Sequence, residues 1–126
     1  MKIKFIIFIV IIVIGVGSIG FFANKKQVET SKDLSSFAQC IADSGAQFYG
    51  TFWCSHCQSQ KEMFGSASKY LPYTECSSNN GLNQLQICKD KEITGYPTWT
   101  FADGSRLSGK LSFNTLAEKT QCVLPE

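Results

Sequence analysis

Residues 47–57 read Gln47-Phe48-Tyr49-Gly50-Thr51-Phe52-Trp53-Cys54-Ser55-His56-Cys57. The stretch from Gln47 to Trp53 is rich in aromatics, a composition that suits a pleated, half-buried surface and predicts a strand. Beyond Cys54 the apolar residues change to helical spacing, with Met63, Phe64 and Ala67 on one face. That predicts a helix to about Tyr70. The two cysteines of this C-x-x-C therefore sit where a strand hands over to a helix. Free N–H groups and the helix dipole favour an anion at such a point, so a Cys54 thiolate is stabilised there. A thiolate so placed attacks a disulfide. Cys57, one turn on, can then resolve the mixed disulfide. His56 adds a donor or positive charge near the Cys54 sulfur, which favours the reduced form and makes the disulfide more oxidising. Trp53 and Ser55 complete the residues expected to tune the pair.

Other chemistries of paired cysteines fit less well. A structural zinc site wants a second C-x-x-C, and the chain has none. Covalent haem attachment needs His directly after the second cysteine, where Gln58 stands. No metal and no cofactor are expected, although a Cu(I) carrier using the two thiols is a competing reading from a different functional class.

Outward from this centre the pattern alternates. Ser31 or Asp33 is placed to cap a helix to about Asp43, with Leu34, Phe37, Ala38 and Ile41 on one face and Ser44-Gly45 ending it. Pro72 to Cys76 reads as a short strand, Ser77 to Gly81 as a loop and Leu82 to Asp90 as a helix. Thr98 to Phe101 is a strand, Ala102-Asp103-Gly104-Ser105 a hairpin turn, and Arg106 to Leu111 the return strand. Asn114 is expected to cap a last helix from Thr115 to about Thr120. This order implies an α/β fold with a mixed central sheet flanked by helices.

The N-terminus is a different material. Phe5 to Phe22 is an uncharged apolar run of eighteen residues, with Lys2 and Lys4 before it and Lys25 and Lys26 after it. As a helix it would rise about 27 Å, close to the ~30 Å hydrocarbon core of a bilayer. A signal peptide normally has a shorter apolar region, and no A-x-A cleavage site is present, so an uncleaved single-pass anchor is favoured. The chain divides accordingly into an anchor over 1–26, a polar linker over 27–32 and a folded domain over 33–126. All six cysteines follow the span, which places the domain on an oxidising, extracytoplasmic (periplasmic or outer) side.

The chain has 126 residues and a formal charge of +2. Four of its twelve basic residues flank the apolar run, leaving eight against all ten acidic ones. The domain is slightly acidic, so no nucleic-acid partner is expected.

A second signal is Gly95-Tyr96-Pro97-Thr98, just before an aromatic strand. With W-C-x-x-C followed by x-Pro-Thr, the sequence resembles the thioredoxin superfamily. The runs from Phe48 to Cys57, Gln60 to Gly65, Leu71 to Cys76 and Gly95 to Trp99 are similar to one branch: the thioredoxin-like domain fused to, or partnered with, bacterial vitamin K epoxide reductase homologues. The resemblance spans about residues 34–124. It implies a thioredoxin-like fold and a cis-proline turn in which Tyr96, Pro97 and Thr98 receive an extended substrate segment. It implies a membrane-anchored protein-disulfide oxidoreductase that exchanges disulfides with secreted proteins and is recycled by a quinone-linked membrane partner. A disulfide reductase fed from the cytoplasm is the alternative within the enzyme class.

Two positions depart from the family. Ser55 stands where proline is often found. Phe48 stands where thioredoxin carries a buried acid, so the proton acceptor for Cys57 is unassigned. Glu62 and Glu75 are candidates, each more simply read as a solvated surface charge. The remaining four cysteines allow three connectivities. The resemblance implies a bridge Cys76–Cys88, which would close the Ser77–Ile87 loop, and Cys40–Cys122 then follows by elimination. Cys40 as a buried free thiol, and Cys76–Cys88 as a second redox relay, are the alternatives.

Overall fold

The computed structural model of the protein describes residues 33–126. The expected anchor and linker lie outside these residues. Among the described residues no helix is long and apolar enough to cross a membrane.

The described chain is mixed α/β. Helix α1 spans Ser35–Asp43, strand β1 Gln47–Gly50 and helix α2 Ser55–Phe64, followed by a 3-10 turn over Gly65–Tyr70. Strand β2 covers Tyr73–Glu75, the one-turn helix α3 Gln86–Lys89, strands β3 and β4 Thr98–Thr100 and Arg106–Ser108, and helix α4 Phe113–Thr120. The sheet order is β2-β1-β3-β4. β1 and β2 run parallel, while β3 is antiparallel to both β1 and β4. A four-stranded mixed sheet with flanking helices fits a thioredoxin-like fold.

The boundaries differ from the sequence expectation at instructive places. β1 stops at Gly50 rather than Trp53, because the chain turns and leaves Phe52 and Trp53 about half exposed. The helix after Cys54 is broken at Gly65, whose φ of 53° takes it out of the α region and starts the 3-10 turn. Only Gln86–Lys89 of the expected 82–90 helix forms, since Gln84 is drawn into a bridge with Ser77. The last helix is capped by Ser112, not Asn114: Ser112 Oγ accepts from the Thr115 N–H at 3.1 Å. Asp33 does serve the first helix, accepting from the Ser35 N–H at 3.0 Å, although the cap position itself is Leu34. The return strand closes at Ser108, ahead of Gly109 at φ 89°.

The core lies where α1, α2 and α4 meet the sheet. Phe37, Ala38 and Ile41 of α1 are buried, as the periodicity predicts. Phe48 and Trp99 pair across β1 and β3, and their rings stack at 4.6 Å. Phe37, Phe64 and Phe113 form a second aromatic contact between helices. Each such ring buries a large apolar area, and stacked or edge-on pairs add about 0.5–1.5 kcal/mol beyond it.

Gln60 is a polar side chain that sits fully inside. Gln60 Oε1 accepts from the Leu111 N–H at 2.7 Å, and its Nε2 donates to the Leu111 carbonyl at 3.1 Å. The amide thus treats Leu111 as a sheet neighbour would, tying α2 to the segment after β4. Gln60→Leu leaves both Leu111 groups buried and unpaired, and is expected to cost about 2–4 kcal/mol in a urea unfolding titration.

Two disulfides hold the ends and the middle of the domain. Cys40 of α1 bonds Cys122 just after α4, and Cys76 bonds Cys88 of α3. Cys76 and Cys88 are both fully buried.

Candidate active site

Cys54 and Cys57 are the free cysteines among the described residues. Cys54 is the N-cap of α2: its backbone is extended and its Sγ accepts from the Cys57 N–H at 3.3 Å. One of the orphan donors of the helix N-terminus is therefore aimed at this sulfur, as an anion-stabilising position requires. The Cys57 thiol donates to Cys54 Sγ, with the sulfurs 2.7 Å apart. Cys54 is 8% exposed and Cys57 1%. The two thiols are thus unequal: the outer one sits at the surface end of the helix and the inner one beneath it.

Burial, and next the hydrogen bond to Cys54, push the Cys57 thiol up to about 12 from the ordinary value near 9.0. The Thr51 backbone N–H and the charge of Lys61 pull the other way. A thiol this reluctant to ionise stays protonated while Cys54 reacts.

What lets Cys57 pack so deeply is Gly50. A Cβ on Gly50 would stand 2.9 Å from Cys57 Sγ and 2.8 Å from Tyr73 Cε2, closer than a carbon tolerates. Gly50→Ala is expected to push the Cys57 sulfur off its seat. The expected result is a lower thermal midpoint together with altered spacing of the pair, seen as slower closure of the Cys54–Cys57 disulfide in stopped-flow oxidation.

Behind Cys57 lies a polar cluster on β2. Tyr73 Oη donates to Glu75 Oε2 at 2.8 Å, and Glu75 Oε1 also accepts from the N–H groups of Ser77 at 2.9 Å and Phe52 at 3.3 Å. Glu75 is thus half-buried and bound, unlike the solvated charge expected, whereas Glu62 is exposed. Lys61 Nζ sits 3.2 Å above the Tyr73 ring. Burial lowers the Lys61 ammonium's pKa, with Glu75 and Cys57 opposing; burial and Glu75 raise the Tyr73 phenol.

The Tyr96–Pro97 peptide is cis. Pro97 is buried, and Thr98 Oγ1 donates to the Gly95 carbonyl at 2.8 Å. Trp53 packs edge-on against Tyr96, ring centroids 6.0 Å apart, so the C-x-x-C loop and the Tyr96–Pro97 turn adjoin. Between them opens a groove of about 150 Å³ lined by Thr51, Trp53, Leu82, Gln84 and Tyr96 among others. Trp53 Nε1 donates to Ser77 Oγ at 3.0 Å, and Gln84 Nε2 donates to the Tyr96 hydroxyl at 2.8 Å. Leu82 is 79% exposed at the lip. Ser55 and His56 are both exposed in the first turn of α2.

Gly50, Lys61 and Tyr73 have no motif and were not singled out by sequence. The i, i+4 spacing of Cys57 and Lys61 on one helix face was the readable signal for the lysine.

No protein-family model matches the chain. It is similar to the thiol-disulfide oxidoreductase LTO1 of Arabidopsis thaliana, being 43% identical over 102 residues. That match covers 75% of this chain and 27% of the relative. The likeness supports a thiol-disulfide oxidoreductase kind. This chain spans little more than a quarter of the relative's length, so what the whole relative does is not carried across with it.

Proposed function

We propose that the protein is a thiol–disulfide oxidoreductase in which Cys54 is the nucleophile and Cys57 the resolving thiol. The observation that carries this is the free Cys54–Cys57 pair at the N-terminus of α2, one sulfur near the surface and the other buried behind it. In the reducing direction, the Cys54 thiolate attacks a substrate disulfide and one substrate sulfur leaves as a thiol. The Cys57 sulfur then attacks Cys54, the second substrate sulfur leaves, and the enzyme ends as a disulfide with the substrate reduced by two electrons. Oxidation of a dithiol substrate is the same path reversed.

The physiological direction we propose is oxidation of secreted proteins. The apolar span at Phe5–Phe22 anchors the domain on the extracytoplasmic side, and the substrate segment lies along the Tyr96–Pro97–Thr98 turn. A quinone-linked membrane partner of the vitamin K epoxide reductase kind takes up the electrons. His56 raises the potential of the pair, and Ser55 and Trp53 tune it. The support is the family resemblance, the segregation of all cysteines beyond the span, and the adjacency of Trp53 to Tyr96.

The test is acid-quenched alkylation of the protein in its native membrane. A predominantly disulfide-bonded Cys54–Cys57 pair is expected. A predominantly dithiol pair contradicts the oxidising direction and fits a reductase. Stoichiometric Cu(I) with no exchange on reduced or scrambled protein contradicts the enzyme altogether.

A further inference from the structure

The depth of Cys57 raises a difficulty for this chemistry. The resolving thiol must become a thiolate to attack Cys54, yet burial disfavours its charge, and the position of the superfamily's buried acid holds Phe48. Several polar groups around the sulfur can be named. From α2 and its cap come Cys54 and Lys61, from the preceding loop the Thr51 N–H, and from β2 Tyr73 and, one hydrogen bond further, Glu75.

Glu75 is a poor proton acceptor. Its oxygens already accept three hydrogen bonds, and its negative charge opposes a thiolate nearby. Tyr73 donates its proton to Glu75 and has none to spare for sulfur. Among these groups, all in the described residues, Lys61 is the cation. It lies four residues after Cys57 on the same face of α2, with its ammonium fixed 3.2 Å above the Tyr73 ring. That ring and the Cys57 sulfur converge on Gly50, at 2.8 and 2.9 Å from the same point. The ring therefore seats the ammonium where its charge is felt at the buried sulfur, and Glu75, hydrogen-bonded to the ring's hydroxyl, opposes the effect of burial on the half-buried lysine.

We infer that Lys61, seated on Tyr73 and balanced by Glu75, is a positioning residue that stabilises the Cys57 thiolate during resolution of the mixed disulfide. In that step the Cys57 thiol gives its proton to water, and its sulfur forms the bond to Cys54. The Cys54–substrate bond breaks, and the departing substrate thiolate takes up a proton. Lys61 gives no atom to the reaction; its charge lowers the cost of the buried anion. The inference rests on the proposed function.

The test uses the reduced protein and an aromatic disulfide, dithiobis(nitrobenzoate). The first chromophore released reports attack by Cys54 and the second reports resolution by Cys57. Lys61→Gln is expected to leave the first phase within about twofold and slow the second about tenfold at neutral pH, as expected when an acidity shifts by about one unit. Its rate-against-pH profile should move to higher pH, and Lys61→Arg should restore it. A second phase unchanged in rate and profile in Lys61→Gln overturns the inference.

Coupling is reciprocal, so the wild-type protein offers a second measurement. The Lys61 side-chain nitrogen, followed by NMR, should lose its proton at higher pH in the dithiol than in the disulfide form; identical titrations overturn the inference. Normal exchange with protein disulfides alongside an unchanged second phase rejects Lys61 alone. A shifted second phase without any exchange on protein disulfides rejects the functional reading alone.

Discussion

Reduced Cys57→Ser protein mixed with a protein disulfide is expected to accumulate as a covalent adduct through Cys54, and Cys54→Ser is expected to form none. The asymmetry follows from where the helix begins. Cys54 caps α2, accepts an N–H from the first turn and reaches the surface; Cys57 is 1% exposed and faces Gly50 and Tyr73. A bulky substrate disulfide can meet only the outer sulfur. Without Cys57 the adduct has no internal thiol to release it, since the other four cysteines are tied in disulfides. Turnover should fall by on the order of 10³-fold or more in either variant, because attack and resolution act as a unit. Non-reducing electrophoresis and intact mass show the adduct. Equal adduct formation by both variants would mean that the inner sulfur is as accessible as the outer one, which the burial contradicts.

The second large effect concerns stability. The Cys40–Cys122 bond joins residues 82 apart, against 12 for Cys76–Cys88. Closing a longer loop removes more freedom from the unfolded chain: about 4.5 kcal/mol for the first bond and about 3 kcal/mol for the second in the chain-entropy treatment. A domain of this size has only about 5–15 kcal/mol in all. The paired substitution Cys40→Ala with Cys122→Ala should therefore remove a large part of it, and more than Cys76→Ala with Cys88→Ala. Urea titrations of both pairs, with Cys54 and Cys57 held reduced, give the comparison. The reverse order would show that α3 and its loop, not the docking of α1 against α4, limit the fold.

The sequence carried much of this architecture, for reasons that differ from element to element. Helix α1 was readable because Phe37, Ala38 and Ile41 recur at helical spacing and all three are buried. The junction at Cys54 was readable because an aromatic run gives way there to a helical pattern. The end of β1 was not, since Phe52 and Trp53 look like strand residues and are instead exposed beside the thiols. Their apolar character serves the surface around Cys54 rather than the core. The expected 82–90 helix is shortened to Gln86–Lys89 because its start is lost to tertiary contacts: Gln84 bridges Ser77 and donates to both Tyr96 Oη and the Ile93 carbonyl. Gly65 and Gly50 illustrate two uses of glycine that spacing does not reveal, one for a left-handed φ and one for close approach of a sulfur. Within the site, the paired cysteines announce themselves. The lysine and tyrosine behind them become visible only once α2 is laid across β2.

The most direct test is a thiol count across a series of glutathione redox buffers, with acid quench, alkylation and mapping of each cysteine. Two thiols are expected to appear together in a single two-electron transition, both of them Cys54 and Cys57, while Cys40, Cys76, Cys88 and Cys122 remain blocked throughout. A transition that opens Cys76–Cys88 first, or no transition at Cys54–Cys57 under any buffer, contradicts the assignment of this pair as the redox centre.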